Sequence, residues 1–172
     1  VSLGETVMVA SRHQFYTDLL LEHGVGFSEI NFGSRSLREL PRLAARLRHI
    51  IKGFRPDIIH VPTLTPLILC RTLLIRVPIV ATLHNEWMKS SDYMKLADLV
   101  VGVSPAVTEA MVQRGVPRRK MRTIVNGTIN SPRRPPHAEK ADVQHPAVLF
   151  VGSLRARKGT DVLLDAFSTV HA

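Results

Sequence analysis

Short apolar runs alternate with stretches of helical spacing along most of this chain, and that alternation narrows the fold more than any other feature. Val7–Ala10 has the character of a strand buried on both faces. Tyr16–His23 reads as a helix that Gly24 stops, and Phe27–Phe32 reads as another short strand. Ser36 and Glu39 have capping-box spacing, but Pro41 sits late for that start, which moves the regular helix to about Leu40. Leu40, Leu43, Ala44, Leu47, Ile50 and Ile51 then share one helical face, and Gly53 is placed to end it.

The pattern continues with Pro56-Asp57 and a strand at Ile58–Val61. Thr65 and Pro66 read as the cap and first residue of a helix, Pro78 closes that region, and Ile79–Leu83 is the next strand. A short helix is expected at Tyr93–Ala97 and a strand at Leu99–Val103. Ser104-Pro105 opens a helix that ends at Gly115, and Met121–Val125 leads into Asn126-Gly127. Strands alternating with helices predict an α/β chain whose parallel sheet carries helices on both faces.

Residues 128–146 break the rhythm, and Ser131–His137, Ser-Pro-Arg-Arg-Pro-Pro-His, suits a linker. Ala147–Val151 starts a new strand, followed by a polar turn and a helix from about Thr160. The expected organisation is therefore a first domain over 1–130, a linker over 131–146 and the start of a second domain over 147–172. One strand and one helix cannot bury their own apolar faces. Val148, Leu149, Val151, Leu163, Leu164 and Phe167 need partners, either on the first sheet or in the rest of a second domain.

Composition removes whole classes. Hydrophobic residues are 45% and charged residues 22%, which excludes disordered and fibrous chains. The single cysteine, Cys70, excludes an internal disulfide and a thiolate zinc cluster. Residues 58–83 are apolar but broken by Pro62, Pro66, Arg71, Arg76 and Pro78, so they are not a membrane span. No signal-peptide pattern opens the chain, and a first residue of Val is what a processed chain or a fragment would show. The net charge of +9 favours anionic partners: nucleic acid, anionic lipid or phosphorylated substrates. Aromatics are only 5%, which leaves few stacking platforms for single-stranded nucleic acid.

The most informative motif is Val151–Gly159, Val-Gly-Ser-Leu-Arg-Ala-Arg-Lys-Gly. Gly152 lets a backbone approach a ligand, while Arg155, Arg157, Lys158 and the following helix start supply positive potential for a phosphate. It is not a Walker A loop, and no G-x-G-x-x-G fingerprint occurs in the chain. Its bland reading is a solvated basic loop. His84 ends a strand in Thr82-Leu83-His84-Asn85-Glu86, at the strand end where open parallel sheets bind ligands. There it can donate a hydrogen bond or move a proton, or simply serve as a loop histidine. A metal reading of His84 with Glu86 lacks a third nearby ligand. His60, inside an apolar strand, reads as a satisfied core histidine. Asn126-Gly127 reads as a turn that also faces an interdomain cleft. Arg38, Arg42 and Arg46 form a helical stripe, either solvated or resting on anionic lipid; Arg118, Arg119, Lys120 and Arg122 share that ambiguity.

These segments together resemble family-4 glycosyltransferases of the GT-B fold. The matching pieces run in order: PDIIHVP at 56–62, ATLHNE at 81–86, ADLVVGVSPAVTEAMVQRGVP at 97–117, KMRTIVNGTI at 120–129 and VGSLRARKGTDVLLDAF at 151–167. The resemblance implies a Rossmann-like acceptor-side domain and the first strand–helix unit of a Rossmann-like donor-side domain. It implies a chain truncated at both ends, with GETVMVAS at 4–11 as the family's second strand. It also implies a retaining transfer of sugar from a nucleotide-sugar to a sugar, lipid or small-molecule acceptor, with no dedicated metal ion and no other cofactor. Lys158 matches the family lysine at the donor diphosphate, with Gly152 beside it. Ser153 stands where the family has an arginine, a contact Arg155 or Arg157 would replace. His84 matches the active-site histidine, and Asn126 and Gly127 match the end of the first domain. A cytoplasmic enzyme, peripheral on the inner membrane face, is the implied setting, with nucleic acid not among its partners. A basic α/β binding module and a nucleotide-sugar epimerase of GT-B fold are the competing expectations.

Overall fold

The computed structural model describes residues 3–12, 16–33, 36–85, 89–127 and 142–171. Its contacts divide the chain into residues 1–127 and residues 128–172.

The first unit is built of parallel strands joined by helical crossovers. β1 (Met8–Ser11) leads through α1 (Thr17–Glu22) to β2 (Gly26–Glu29), and the two strands pair in parallel. α2 (Leu40–Phe54) returns the chain to β3 (Ile59–Val61), and α3 (Leu64–Thr72) carries it to β4 (Ile79–Leu83). A 3-10 run, Lys89–Leu96, precedes β5 (Leu99–Gly102); α4 (Pro105–Gln113) then leads to β6 (Met121–Thr123). The ladder β3-β4-β5-β6 is one four-stranded parallel sheet, and β1-β2 is a separate two-stranded one. The expected parallel α/β architecture is therefore present, with the sheet divided between β1 and β3.

The core sits where β4 and β5 meet α3 and α4. Ile79, Ala81 and Leu83 alternate inward on β4, and Leu67, Cys70, Val100 and Met111 are fully enclosed around them. α2 contributes Leu43 and Leu47 from its apolar face. Burial raises the Cys70 thiol above its ordinary pKa, and the neighbouring Arg71 charge offsets that in part.

Local chemistry accounts for most element ends. The Ser104 hydroxyl accepts the Val107 amide at 3.2 Å and caps α4, with Pro105 in the first turn where no intrahelical N–H is needed. Gly115, at φ 90°, ends α4, with the amides of Gly115 and Val116 returning to Val112 and Met111. Other ends differ from expectation. α2 runs past Gly53, and Arg55 takes the left-handed cap at φ 51°. α3 starts at Leu64 with Thr63 as its cap, so Pro66 falls inside the first turn. Ahead of α2 a 3-10 turn, Leu37–Glu39, replaces the capping box, and the Glu39 amide donates to the Ser36 carbonyl.

In the second unit the strand expected at Ala147–Val151 joins no ladder among the described residues. A strand needs a hydrogen-bonding neighbour, and Val148, Leu149 and Val151 lie exposed. The helix is as expected: α5 (Thr160–His171) follows a 3-10 turn, Ala156–Lys158, and Gly159 in the left-handed region at φ 70°. Among the described residues no helix is long and apolar enough to cross a membrane. Most of the expected linker, 131–141, falls outside the described residues.

Candidate functional site

The carboxyl ends of β3 and β4 open together onto a small cleft of about 180 Å³. Its wall is rich in hydroxyl groups: Thr63 from the turn after β3, Thr82 from β4, and Ser90 and Ser91 from the 3-10 run. His84 and Asn85 follow β4 directly and form its lip. The β4 alternation explains the arrangement. Odd positions 79, 81 and 83 point into the core, so Thr82 and His84 share the opposite, more open face. His84 is exposed and Asn85 half-buried. The Leu83 carbonyl accepts the Val103 amide at 3.2 Å, which anchors the strand end beneath the histidine to β5. A cleft of this volume holds one end of a ligand rather than a whole cofactor.

His60 extends the same face. It is exposed, not a core histidine, and its Nε2 lies 2.7 Å from the Thr82 hydroxyl. Its place in the fold explains this: it lies along a cavity of about 470 Å³ between β1 and β3 rather than under a helix. Thr63, Thr82, Ser90 and Ser91 were not singled out from sequence. The signal for Thr82 was available, since positions 82 and 84 must share a strand face.

The other expected residues lie elsewhere. Asn126 and Gly127 are exposed beyond the carboxyl end of β6, where the Ile124 amide bonds the Gly102 carbonyl at 3.1 Å. They do not line the His84 cleft. Glu86 falls outside the described residues. Among those described, no three His, Cys, Asp or Glu side chains gather as a metal site requires.

In the second unit Gly152, Ser153, Arg155 and Lys158 are all exposed on one short turn, and the side chain of Arg157 is not described. The Arg155 amide donates to the Ser153 carbonyl and the Lys158 amide to the Arg155 carbonyl, each at 2.8 Å. This sets Lys158 two residues before α5, at the positive end of the helix. A side chain at Gly152 would meet the Phe150 ring at 3.1 Å, so the ring already gives that glycine a structural reason.

The basic clusters are mostly spent internally. Arg118 pairs with Glu109, Lys120 donates to the carbonyls of Lys95 and Ala97, and Arg122 donates to those of Arg119 and Met121. On α2, the exposed Arg46 donates to the Glu29 carbonyl and the Ser28 hydroxyl; Arg42 on the same helix and Arg38 in the preceding 3-10 turn are also exposed.

Comparison with known proteins places this geometry. Residues 3–129 match the family model described as Glycosyltransferase Family 4. No curated protein matches the chain by sequence. Among solved structures, the chain is similar to a glycosyltransferase from Rickettsia africae at 20% identity and a TM-score of 0.60, covering 73% of this chain and 36% of that one. It is also similar to the HepE protein of Anabaena in complex with UDP-glucose, at 21% identity and a TM-score of 0.54, covering 70% and 36%. The chain thus spans little more than a third of the length of these structures.

Proposed function

The chain belongs to glycosyltransferase family 4, and on that premise we propose that it serves an enzyme that moves a sugar from a nucleotide-sugar to an acceptor with retention of anomeric configuration. In this reading residues 1–130 bind the acceptor, 131–146 link, and 147–172 open the donor-side domain. The carrying observation is His84, exposed at the carboxyl end of β4 on the lip of a hydroxyl-lined cleft. An imidazole there can hydrogen-bond the transferred sugar or the acceptor hydroxyl and move its proton. Thr63, Thr82, Ser90 and Asn85 offer the hydrogen bonds that orient a hydroxylated acceptor, whether sugar or lipid-linked headgroup.

The donor's diphosphate gathers charge as it departs. Lys158, with Arg155 or Arg157 in place of an arginine at Ser153, meets that charge at the start of α5, with Gly152 beside them, so no dedicated metal ion or other cofactor is needed. Asn126 and Gly127 mark the end of the acceptor-side domain. The UDP-glucose complex of the Anabaena protein supports a nucleotide-sugar as donor. The exposed Arg38 and Arg42 suit peripheral contact with an anionic membrane on the cytoplasmic side, where lipid-linked acceptors are met.

The test is transfer by the complete protein across a panel of nucleotide-sugars. His84→Ala is expected to slow product formation by about 100-fold or more while leaving donor binding intact. Turnover unchanged in that variant overturns the assignment.

A further inference from the structure

His60 reaches the candidate site through another residue's hydroxyl. In the register of β3 and β4 it lies beside Val80, and Val61 lies beside Ala81. Ile79, Ala81 and Leu83 face the core, so His60, Val80 and Thr82 share the opposite face. From its place beside Val80 the imidazole extends toward the carboxyl end of β4, and Nε2 comes to 2.7 Å from the Thr82 hydroxyl. That is the short end of the range for a bond of this kind.

The two residues border different spaces. Thr82 lines the small cleft with His84, Ser90 and Ser91, whereas His60 lines the larger cavity between β1 and β3 and not the cleft. Packing does not call for a histidine at this position. Its neighbours on β3 are Ile59 and Val61, residue types that strands favour, and His60 is exposed. Among the described residues that line its cavity, none carries a carboxylate that would draw the ring elsewhere.

The bond acts on Thr82. A hydroxyl has one proton and two lone pairs, and the proton turns freely unless a partner holds it. The branched threonine side chain restricts χ1, so β4 already sets where the oxygen stands. Nε2, whether it donates or accepts, takes one of the hydroxyl's bonding directions and leaves the others to the cleft. A hydroxyl held in this way is oriented before the ligand arrives. We propose that His60 is a positioning residue for the acceptor: it holds the Thr82 hydroxyl in the orientation that an acceptor hydroxyl meets beside His84. The inference rests on the reading of this cleft as the acceptor's.

Steady-state transfer by the complete protein tests it, with a panel of nucleotide-sugars as donors and octyl hexosides as acceptors, which present sugar hydroxyls on a lipid-like tail. His60→Phe keeps a ring and removes the nitrogen. It is expected to raise the acceptor KM about tenfold and to leave the donor KM unchanged. His60→Gln places an amide nitrogen near the position of Nε2 and should restore most of that loss. Thr82→Val should raise the acceptor KM to a similar extent, and adding His60→Phe to it should change the value by less than about twofold, because the two side chains act as one. Additive losses overturn the proposal, since His60 would then act on the ligand without Thr82. A glutamine variant no better than the phenylalanine one overturns it too, as does a loss confined to the donor KM. An unchanged acceptor KM in His60→Phe overturns the inference alone and leaves the acceptor cleft standing. A parent enzyme that transfers to none of the hexosides removes the hydroxylated acceptor, and the inference falls with it.

Discussion

The hydroxyl of Thr108 occupies the place a side chain at Gly102 would need. Thr108 is held there by its contact with the Thr123 hydroxyl at 2.8 Å, so β5, α4 and β6 close on one another at this glycine. A Cβ at Gly102 would also meet the Thr108 amide nitrogen at 3.0 Å, and that backbone belongs to a helix fixed by its Ser104 cap. Gly102→Ala is therefore expected to destabilise the fold by about 2–3 kcal/mol, the upper range for overpacking. Urea unfolding should show a lower midpoint with an unchanged slope. An unchanged midpoint would mean that α4 can slide away from β5.

Leu74 presents the opposite opportunity. It is 83% exposed and sits at φ 53°, with its amide on the Arg71 carbonyl and the Ile75 amide on the Cys70 carbonyl. A leucine there bears the steric penalty of the left-handed region and contributes almost no packing. Leu74→Gly should stabilise the protein by about 1 kcal/mol, and Leu74→Ala should not. Calorimetry on both variants checks this. A melting temperature lowered by glycine would show that the entropy of the unfolded chain outweighs the strain.

What the sequence made legible follows from how local each cause is. The order of strands and helices through residue 123 could be read because each element carries its own period, and Ser104-Pro105 and Gly115 mark ends through their own backbone chemistry. Arg55 rather than Gly53 ends α2 because packing of the helix, not a single residue's freedom, decides where it stops. Ala147–Val151 has the composition of a strand, but a ladder is a property of two segments. His84 could be placed at a strand end from the apolar run before it. The cleft it borders could not, because Thr63, Ser90 and Ser91 arrive there from separate loops. Nor could Arg46 be told apart from the rest of the charge stripe, since its acceptors lie on β2.

Asp98 ties the starts of β4 and β5 together, accepting the Ile79 amide at 2.8 Å and pairing with Arg71 at 2.9 Å. Partial burial works to raise its pKa. The Ile79 and Arg71 hydrogen bonds, with the charges of Arg71 and Lys120, outweigh that and hold the carboxyl below its ordinary value. A carboxylate lowered in the folded state stabilises it above the unfolded pKa, about 4, and loses that contribution as the pH falls through the folded value. Asp98→Asn should therefore lose stability at pH 7 and differ progressively less from the parent below about pH 4. Urea midpoints from pH 3 to 7 measure this. A gap that stays constant across the range would count against the ionised contact.

Arg42 on α2 and Arg38 in the 3-10 turn before it are exposed, and Arg46 hydrogen-bonds to β2. If this face rests on anionic lipid, reversing these two charges should weaken binding to phosphatidylserine vesicles by about tenfold or more in the full-length protein, at roughly 1 kcal/mol per basic residue. Binding to neutral vesicles should not change. Sedimentation with both vesicle types decides it, and equal partition of parent and double variant onto anionic vesicles would remove the lipid face.

Lys158 is positioned by backbone bonds within its own turn, but among the described residues its unit exposes Val148, Leu149, Val151, Leu154 and Leu164 and contains one α-helix of about three turns. Glycosyl transfer depends on donor groups held in place before charge develops, so a lysine on so small a unit can attract a diphosphate without orienting the sugar attached to it. The 172-residue chain, which covers a little over a third of the structures it resembles, is therefore expected to give no measurable product from any nucleotide-sugar. In the complete protein Lys158→Ala should lose roughly 2–4 kcal/mol of transition-state stabilisation, seen in kcat/KM, and Arg155→Ala should separate a direct phosphate contact from a bystander by whether kcat falls with it. Product formation measured side by side for the chain, the complete protein and the two variants gives the answer. Robust turnover by the 172-residue chain would show that the donor is held by residues of the first unit, and full activity of Lys158→Ala would move the diphosphate away from the start of α5.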